Sequence, residues 1–367
     1  MKIGIMTFWF SNDNYGQLLQ CYALQKFLRD LGHEPFLIRY DFRNDFKKCC
    51  YFYRYLKLFN PKYIYKYLLC KIKSKEEKST NRFFDDFRSK YILQSKDFYT
   101  NYTSLFNNPP NADAYIVGSD QVWNTWFTDS KKFINQIHAY FLDFGDDKTK
   151  RLSYAASWGV TSVPDKYCSE LNPLLSKFDY VSVREKTGIL LCEKCGYTNA
   201  EWVCDPTLLL TPDIYRGIYK ENEIRKPEKP FILLYMLGNE CNFDIQIVYN
   251  FAKQKELDVV YVTGNNKVDK KNKYFATIPE WLYLVDNAEY VITNSFHCAV
   301  FSIIFHKKFG VIRLSGKAKE WNSRFDSLFS TKITGNRYLD ENDFSNLEKD
   351  YEEKDIKVSY RFLNALL

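Results

Sequence analysis

The strongest constraint on the fold is a regular alternation of buried strand, polar loop and amphipathic helix along the chain. Residues 2–8 have the pattern of a buried strand, and a polar loop at 11–16 follows them. A helix with apolar residues at helical spacing then runs to Gly32, and residues 36–40 predict the next strand. Strand, helix and strand in this order form a βαβ unit, which predicts a parallel sheet.

The same alternation continues, and a polar linker at 225–230 divides it into two sets. The first set has further strands at 114–117, 152–156 and 180–184. The second has strands at 231–237, 259–263, 290–293 and 309–314, with helices at about 242–255, 280–287 and 297–305. A chain of 367 residues is too long for one hydrophobic core. We therefore expect two α/β domains, 1–205 and 206–340, which face a cleft. The segment 341–367 predicts a helix, which we expect to pack back on the N-terminal domain.

Composition and hydropathy exclude several classes of protein. Apolar residues make up 46% of the chain and charged residues 26%, which is typical of a globular protein. The longest apolar run has seven residues, at 231–237, whereas a membrane-spanning helix needs about 20. The first residues lack the features of a secretion signal, so we expect a cytoplasmic protein. Ten cysteines do not make a disulfide scaffold, and the single pair Cys192 and Cys195 is weak evidence for zinc, so we expect no metal.

A basic and aromatic insertion at about 43–103 interrupts the alternation, and no clean strand is predicted in it. Residues 43–75 include ten basic residues and one acidic residue, a local charge of +9 in a chain of net charge +7. Aromatic and basic side chains together suit an anionic membrane surface; a nucleic-acid surface or a lid packed on the domain are the alternatives. We expect a peripheral membrane contact and no nucleic acid. The basic residues of this membrane patch are Arg54, Lys57, Lys62, Lys66, Lys71 and Lys73.

The first candidate for chemistry is the junction between the predicted strand at 290–293 and the helix after it. Asn294 or Ser295 can cap this helix, whose free N–H groups favour an anion. His297 falls in the first turn, where it can contact an anion and transfer a proton. The chain has only four histidines, and the other three lie in less suitable settings. A buried histidine with a purely structural role is the alternative.

Other polar residues follow predicted strands at the edge where the cleft would lie. Arg184 ends the strand at 180–184, and a guanidinium there suits a phosphate or carboxylate. An ordinary ion pair between Arg184 and Glu185 is the alternative. Three loops can each be either a ligand loop or a simple turn: the loop at 118–124, which contains Ser119 and Asp120, the loop at 11–16, and Asp205-Pro206-Thr207.

Seven stretches, in order and spacing over about residues 1–330, resemble the polysaccharide pyruvyl transferase family. They are NYGQLLQCYALQKFL (14–28), IVGSDQVWN (116–124), YFLDF (140–144), SYAAS (153–157), VSVRE (181–185), DPTLLL (205–210) and ITNSFHCAVFSIIF (292–305). The resemblance implies a GT-B-like fold, in which two Rossmann-like domains with parallel sheets face an inter-domain cleft. It also implies transfer of pyruvate from phosphoenolpyruvate to a sugar diol, forming a cyclic ketal without a cofactor.

The resemblance further implies roles for individual residues. His297 is the catalytic candidate, and Arg184 is expected to hold phosphoenolpyruvate together with Asn294, Ser295 and Phe296. Some family members have an Arg-Leu pair where this chain has Ser295-Phe296, so one anion contact is either missing or comes from elsewhere, with Arg313 and Arg324 as the candidates. The other candidates for contact with donor or acceptor are Asn14, Tyr15, Gly16, Ser119, Asp120, Glu185, Arg313 and Arg324. The general base is expected among Asp13, Asp120 and Glu185.

The expected acceptor is a saccharide on a polyprenyl diphosphate carrier, at the inner face of the cytoplasmic membrane, as a precursor of a surface polysaccharide such as a capsule. Two other functions remain open. A nucleotide-sugar glycosyltransferase of GT-B type would release a nucleotide rather than phosphate. A non-catalytic member of a glycan assembly complex would tolerate loss of His297.

Overall fold

The first half of the chain forms a parallel sheet of five strands. The computed structural model describes residues 1–11, 13–41, 81–124, 134–238, 243–263, 273–333, 335–339 and 344–352. The strand order is β3-β2-β1-β4-β5, which reverses direction between β1 and β4. The strands are β1 (Lys2–Met6), β2 (Glu34–Tyr40), β3 (Gln94–Tyr99), β4 (Ala114–Val117) and β5 (Lys150–Ser153). The described helices of this half are α1 (Tyr15–Asp30), α2 (Phe84–Tyr91), α3 (Tyr102–Asn107), α4 (Ile134–Tyr140), α5 (Asp165–Leu175) and α6 (Lys186–Lys194).

A short two-stranded sheet and a 3₁₀ turn lead from the first half to the second. The two strands are β6 (Ser182–Val183) and β7 (Glu201–Trp202), and β6 extends the first sheet through bridges to the chain around β5. The 3₁₀ turn is Pro206–Leu209, and helix α7 (Pro212–Lys220) follows it. Residues 205–220 therefore lie between the two sheets in the chain.

The second half forms another five-stranded parallel sheet. Its order is β9-β8-β10-β11-β12, which reverses direction between β8 and β10. The strands are β8 (Phe231–Met236), β9 (Asp258–Thr263), β10 (Tyr290–Thr293), β11 (Lys308–Ile312) and β12 (Tyr338–Leu339). The described helices are α8 (Gln246–Gln254), α9 (Ile278–Asn287), α10 (Phe296–Ile304), α11 (Ser323–Lys332) and α12 (Ser345–Glu348), with a 3₁₀ turn at Gly316–Asn322. Both halves thus have the doubly wound architecture predicted from the alternation.

The prediction that 43–103 holds no clean strand was wrong, because β3 lies within that range. Strand β3 forms one edge of the sheet and pairs only with β2. Of its six residues, only Ser95 and Tyr99 are buried, so its sequence QSKDFY lacks the apolar content of an inner strand. The residues of the predicted membrane patch, from Arg54 to Lys73, lie outside the described residues.

Helix α1 joins the two halves. The side chain of Asn14 accepts a hydrogen bond from the N–H of Gln17 and caps the helix. Tyr15 is fully buried, stacks on Trp281 of α9 at 5.2 Å, and donates a hydrogen bond to the carbonyl of Ala276 at 2.7 Å. One apolar cluster accordingly contains residues of both halves of the chain. The first turn of α1 is therefore fixed against the C-terminal domain.

The described start of the C-terminal tail packs on the second domain. Leu347 of α12 is fully buried, and Tyr351 donates hydrogen bonds to carbonyls of Ser302 and Lys307. Residues 353–367, which make up most of the predicted terminal helix, lie outside the described residues. No helix in the described part of the chain is both long and apolar enough to cross a membrane.

Candidate active site

The loops at the two points of strand reversal face each other across the domain boundary. After β10, Asn294 accepts a hydrogen bond from the N–H of Leu237 at 2.6 Å and donates one to its carbonyl at 2.7 Å. Asn294 thereby ties the end of β8 to the end of β10. Ser295 is the N-cap of α10, and its hydroxyl accepts from the N–H of Cys298. These contacts give Asn294 and Ser295 the local task of fixing the start of α10.

His297 lies in the first turn of α10 and is only 5% exposed. Its Nε2 lies 3.3 Å from Oδ2 of Asp205. The other side of the ring lies against α1, where a Cβ on Gly16 would come within 2.2 Å of Nδ1. Only a glycine at position 16 leaves room for the imidazole. The two domains therefore meet at the ring of His297.

Asp205 is the centre of the polar cluster. Its Oδ2 accepts hydrogen bonds from Arg184 Nη1 and Ser119 Oγ, both at 2.8 Å, and its Oδ1 accepts two from Thr207. Burial alone would raise the pKa of this carboxyl, but the charges of His297 and Arg184 and the hydrogen bonds hold it well below its usual range. Asp205 thus stays ionised and links the imidazole to the guanidinium.

Two buried guanidinium groups meet at the ring of Phe296. The Cζ atoms of Arg184 and Arg324 lie 4.4 Å and 5.8 Å from its centroid. Arg184 is 4% exposed and Arg324 is 8% exposed. Burial, and then the charge of Arg184, lower the pKa of Arg324 to about 10. Two like charges in a buried position attract anionic groups, and the carboxylates of Glu185 and Asp120 act on both of them.

Two donor groups of Arg184 make no hydrogen bond with the described residues. These are Nε and Nη2, both buried; Nε lies 3.9 Å from Oε1 of Glu185, so the ion pair between Arg184 and Glu185 that the sequence left open is also present. Arg324 donates through Nε to the carbonyl of Trp321, and among the described residues no carboxylate lies within ion-pair distance of it. A narrow cavity beside these groups is lined by Arg184, Asp205, Phe296 and Arg324, together with Trp202, Val203, Cys204, Leu208 and Leu328.

Two further carboxylates lie close to the arginine pair. Glu185 is 2% exposed; its Oε1 accepts a hydrogen bond from Ser157, while its Oε2 has no partner among the described residues. Asp120 is 7% exposed, and its charge acts on both Arg184 and Arg324. Its φ angle of 149° falls where L-residues are strained, which is typical of a functional loop.

The remaining predicted residues have other contacts. Asn14, Tyr15 and Gly16 have the contacts with α1, α9 and His297 described above. The backbone carbonyl of Asp13 accepts a hydrogen bond from Tyr235 at 3.4 Å. Arg313 is exposed and stacks on Tyr338 at 3.5 Å, and the charges of both Arg313 and Arg324 act on Tyr338.

Cys192 and Cys195, the pair that was weak evidence for zinc, belong to the core of the first domain. Cys192 is fully buried, and Cys195 lies with its Sγ 2.9 Å from that of Cys168. In the described part of the chain, no group of three or more potential ligands is arranged to hold a metal ion.

Asp205 is the residue that sequence reasoning missed. The motif Asp205-Pro206-Thr207 predicts either a turn or a ligand loop; the structure shows the turn, which Asp205 caps through Oδ1, and Oδ2 accepts a hydrogen bond from Arg184. The sequence signal for the contact with Arg184 was that both residues belong to the seven stretches that resemble the family. Neither motif alone shows that the two side chains meet.

Several solved structures are similar to this chain in fold. The UDP-GlcNAc 2-epimerase of Methanocaldococcus jannaschii, in complex with UDP-GlcNAc and UDP, has a TM-score of 0.54 at 13% identity, over 100% of this chain and 99% of that one. A second structure of that enzyme has a TM-score of 0.51 at 13% identity, over 100% and 99% of the chains. The MnaA protein of S. aureus, in a co-structure with UDP, has a TM-score of 0.50 at 12% identity, over 100% and 95%. These similarities show a GT-B-like fold, as predicted.

The sequence itself is more specific than the fold. No curated protein matches it closely enough to be reported as a relative. The family described as polysaccharide pyruvyl transferase matches residues 14–316, a range that includes α1, Arg184, Asp205 and His297. The chain therefore belongs to the polysaccharide pyruvyl transferase family.

Proposed function

We propose that the protein transfers pyruvate from phosphoenolpyruvate to a sugar diol, releasing phosphate and forming a cyclic ketal. The observation that carries the proposal is the pair of buried guanidinium groups at Phe296, beside the contact between Asp205 and His297. Phosphoenolpyruvate carries a phosphate and a carboxylate, so a site for it needs two centres of positive charge. Arg184 and Arg324 would supply them; the family match supports pyruvyl transfer and includes Arg184, but it ends at residue 316, before Arg324.

The donor anions would bind the unpartnered N–H groups of Arg184 and the guanidinium of Arg324. Both groups are held in place before the donor arrives, because they are buried and packed on Phe296. Such preorganised charges are worth more in a dry site than in water. Arg324 thereby provides the anion contact for which this chain lacks an arginine at position 295.

His297 would supply the proton for the enol carbon. The carboxylate of Asp205 lies 3.3 Å from Nε2 and positions the imidazole. Transfer of that proton to C3 of phosphoenolpyruvate leaves C2 electron-poor, and a sugar hydroxyl attacks C2. The C2–O bond to phosphate then breaks, and the second hydroxyl closes the ketal. The two hydroxyl protons balance the new methyl group and the released hydrogen phosphate.

Glu185 is the best candidate for the base that accepts a hydroxyl proton. Its Oε2 is buried without a hydrogen-bond partner among the described residues, while Oε1 is held by Ser157. One oxygen thus positions the side chain and the other is free for the acceptor.

We further propose that the acceptor is a saccharide on a polyprenyl diphosphate carrier at the cytoplasmic membrane face. The support is the charge of +9 over residues 43–75, interleaved with aromatic side chains. Flotation with liposomes containing anionic lipid tests this step. Binding at low salt that weakens as salt rises is expected, and absence of binding at low salt would contradict it.

The donor site is tested by calorimetric titration with phosphoenolpyruvate, beside pyruvate and UDP-GlcNAc. Arg324→Met removes a buried charge that has no carboxylate within ion-pair distance among the described residues, so the variant should still fold while binding phosphoenolpyruvate at least about tenfold more weakly. Arg216→Ala is the control and should bind normally. Arg216 belongs to α7 and is paired with Asp286 of α9. Preference for UDP-GlcNAc over phosphoenolpyruvate would instead favour a glycosyltransferase.

A further inference from the structure

A pair of partly exposed aromatic rings lies at the carboxyl edge of the first sheet. Trp9 follows β1, and Phe98 lies near the end of β3. Their ring centroids are 5.1 Å apart with the planes inclined by 54°. Trp9 is half-buried, while Phe98 is 40% exposed. Ligands of parallel sheets bind at this edge.

Both rings are held rigidly, although neither is fully covered. The indole N–H of Trp9 donates to Gln94 at 2.8 Å, and the guanidinium of Arg88 lies 4.9 Å from the Trp9 ring. Arg88 is itself 2% exposed and donates to the carbonyl of Ser11. The guanidinium of Arg39 lies 5.2 Å from the ring of Phe98. A fixed aromatic pair bordered by polar groups is suited to a ligand that has both apolar faces and hydrogen-bonding edges.

The same loop connects this pair to the candidate active site. Gln17 in the first turn of α1 donates hydrogen bonds to the carbonyls of Phe8 and Phe10, on either side of Trp9. Gly16, next to it, lies against His297. The aromatic pair and the candidate proton donor are therefore positioned by one helix terminus.

We infer that Trp9 and Phe98 form a subsite for a sugar ring of the acceptor, stacking on its C–H face while the flanking polar groups meet its hydroxyls. This rests on the proposed function, which requires a saccharide acceptor, and on the family's description. A sugar ring combines the apolar face and polar rim that this pair offers. The subsite binds the acceptor beyond the diol and takes no part in the chemistry.

The experiment is saturation-transfer NMR with methyl β-galactoside, methyl β-glucoside and the methyl glycoside of N-acetylmannosamine, with and without phosphoenolpyruvate. The wild type should transfer saturation to sugar C–H protons. Phe98→Ala and the milder Trp9→Phe should weaken glycoside binding, the former by about tenfold. Phe106→Ala, at a ring that is 55% exposed on α3, is the matched control and should change nothing. Calorimetric binding of phosphoenolpyruvate should be equal in all variants.

The outcomes separate this inference from the proposed function. Normal phosphoenolpyruvate binding with no glycoside signal, or with a signal unchanged by Phe98→Ala and Trp9→Phe, overturns the sugar subsite alone. Glycoside binding that depends on Trp9 and Phe98, without any binding of phosphoenolpyruvate, supports the subsite and contradicts the proposed donor. If instead Phe98→Ala abolishes flotation with anionic liposomes and leaves glycoside binding intact, the pair is a membrane contact and the inference fails.

Discussion

Gly16→Ala is the substitution whose effect follows most directly from the structure. A Cβ at this position would lie 2.1 Å from Cγ, 2.2 Å from Nδ1 and 2.4 Å from Cβ of His297. Ordinary contacts between carbon atoms are about 3.5–4.0 Å. The gap between the two residues must therefore widen by more than about 1 Å before the alanine fits.

Rotation of the imidazole cannot relieve the clash by itself, because Cβ of His297 is one of the three close atoms. Its position is set by the backbone of α10, and position 16 is set by the backbone of α1. Either the two helices move apart or the start of one of them shifts. Overpacking of this kind costs about 1–3 kcal/mol of unfolding free energy. A displacement of about 1 Å of the proton donor costs about 100-fold in rate.

The assay is phosphate release from phosphoenolpyruvate with saccharide acceptor, together with unfolding in urea. We expect Gly16→Ala to lose activity by about two orders of magnitude and to be destabilised. Gly217→Ala is the matched control: Gly217 lies within α7, and a Cβ there would meet nothing within 4 Å. That variant should gain up to about 1 kcal/mol from helix propensity and keep its activity. Wild-type activity and stability in Gly16→Ala would refute the placement of His297 against α1.

Three other substitutions test separate contacts. His297→Ala should abolish phosphate release, whereas His33→Ala, near the N-terminus, should not change it. Asp205→Asn leaves Arg184 buried without its carboxylate and should cost about 3–5 kcal/mol. Because the pKa of the Asp205 carboxyl is lowered on folding, its stabilisation is present above about pH 4 and is lost as pH falls further, so urea midpoints should drop more steeply in the wild type than in the variant between about pH 5 and 3. Tyr15→Phe removes a hydrogen bond between the domains and should cost about 1 kcal/mol.

Each of these results has a clear contrary outcome. Turnover by His297→Ala at the wild-type rate would remove the imidazole from the mechanism. Parallel pH profiles of the wild type and Asp205→Asn would show that the carboxyl is not specially stabilised in the folded protein. A Tyr15→Phe variant as stable as the wild type would mean that the hydrogen bond from Tyr15 to the carbonyl of Ala276 contributes nothing to folding.

Much of the fold could be predicted from the sequence because its strands are buried on both faces. Strands β4 and β10 have the predicted bounds, and β8 differs from its prediction by one residue. Such strands are continuous apolar runs between polar loops, which a sequence displays directly. Strand β3 was not predicted, because an edge strand with an exposed face needs no continuous run of apolar residues.

The candidate site was only partly predictable, because its contacts join residues that are distant in the chain. Sequence patterns located Arg184 and His297 at the ends of strands, which depends only on local structure. The carboxylate of Asp205 that joins them, and the space for His297 provided by Gly16, depend on how the two domains pack. A motif that caps a turn and one that also binds an arginine look the same in the sequence.

The arrangement around Phe296 explains how this chain differs from family members that have an Arg-Leu pair before the histidine. Ser295 caps α10, a task that an arginine side chain cannot perform in the same way. The ring of Phe296 in turn provides the surface on which Arg184 and Arg324 come together. Arg324 belongs to a different element, at the start of α11, and we propose that it supplies the positive charge absent at position 295. If this compensation is correct, replacing Phe296 by leucine should weaken phosphoenolpyruvate binding without direct loss of charge, since both guanidinium groups would lose the ring that holds them.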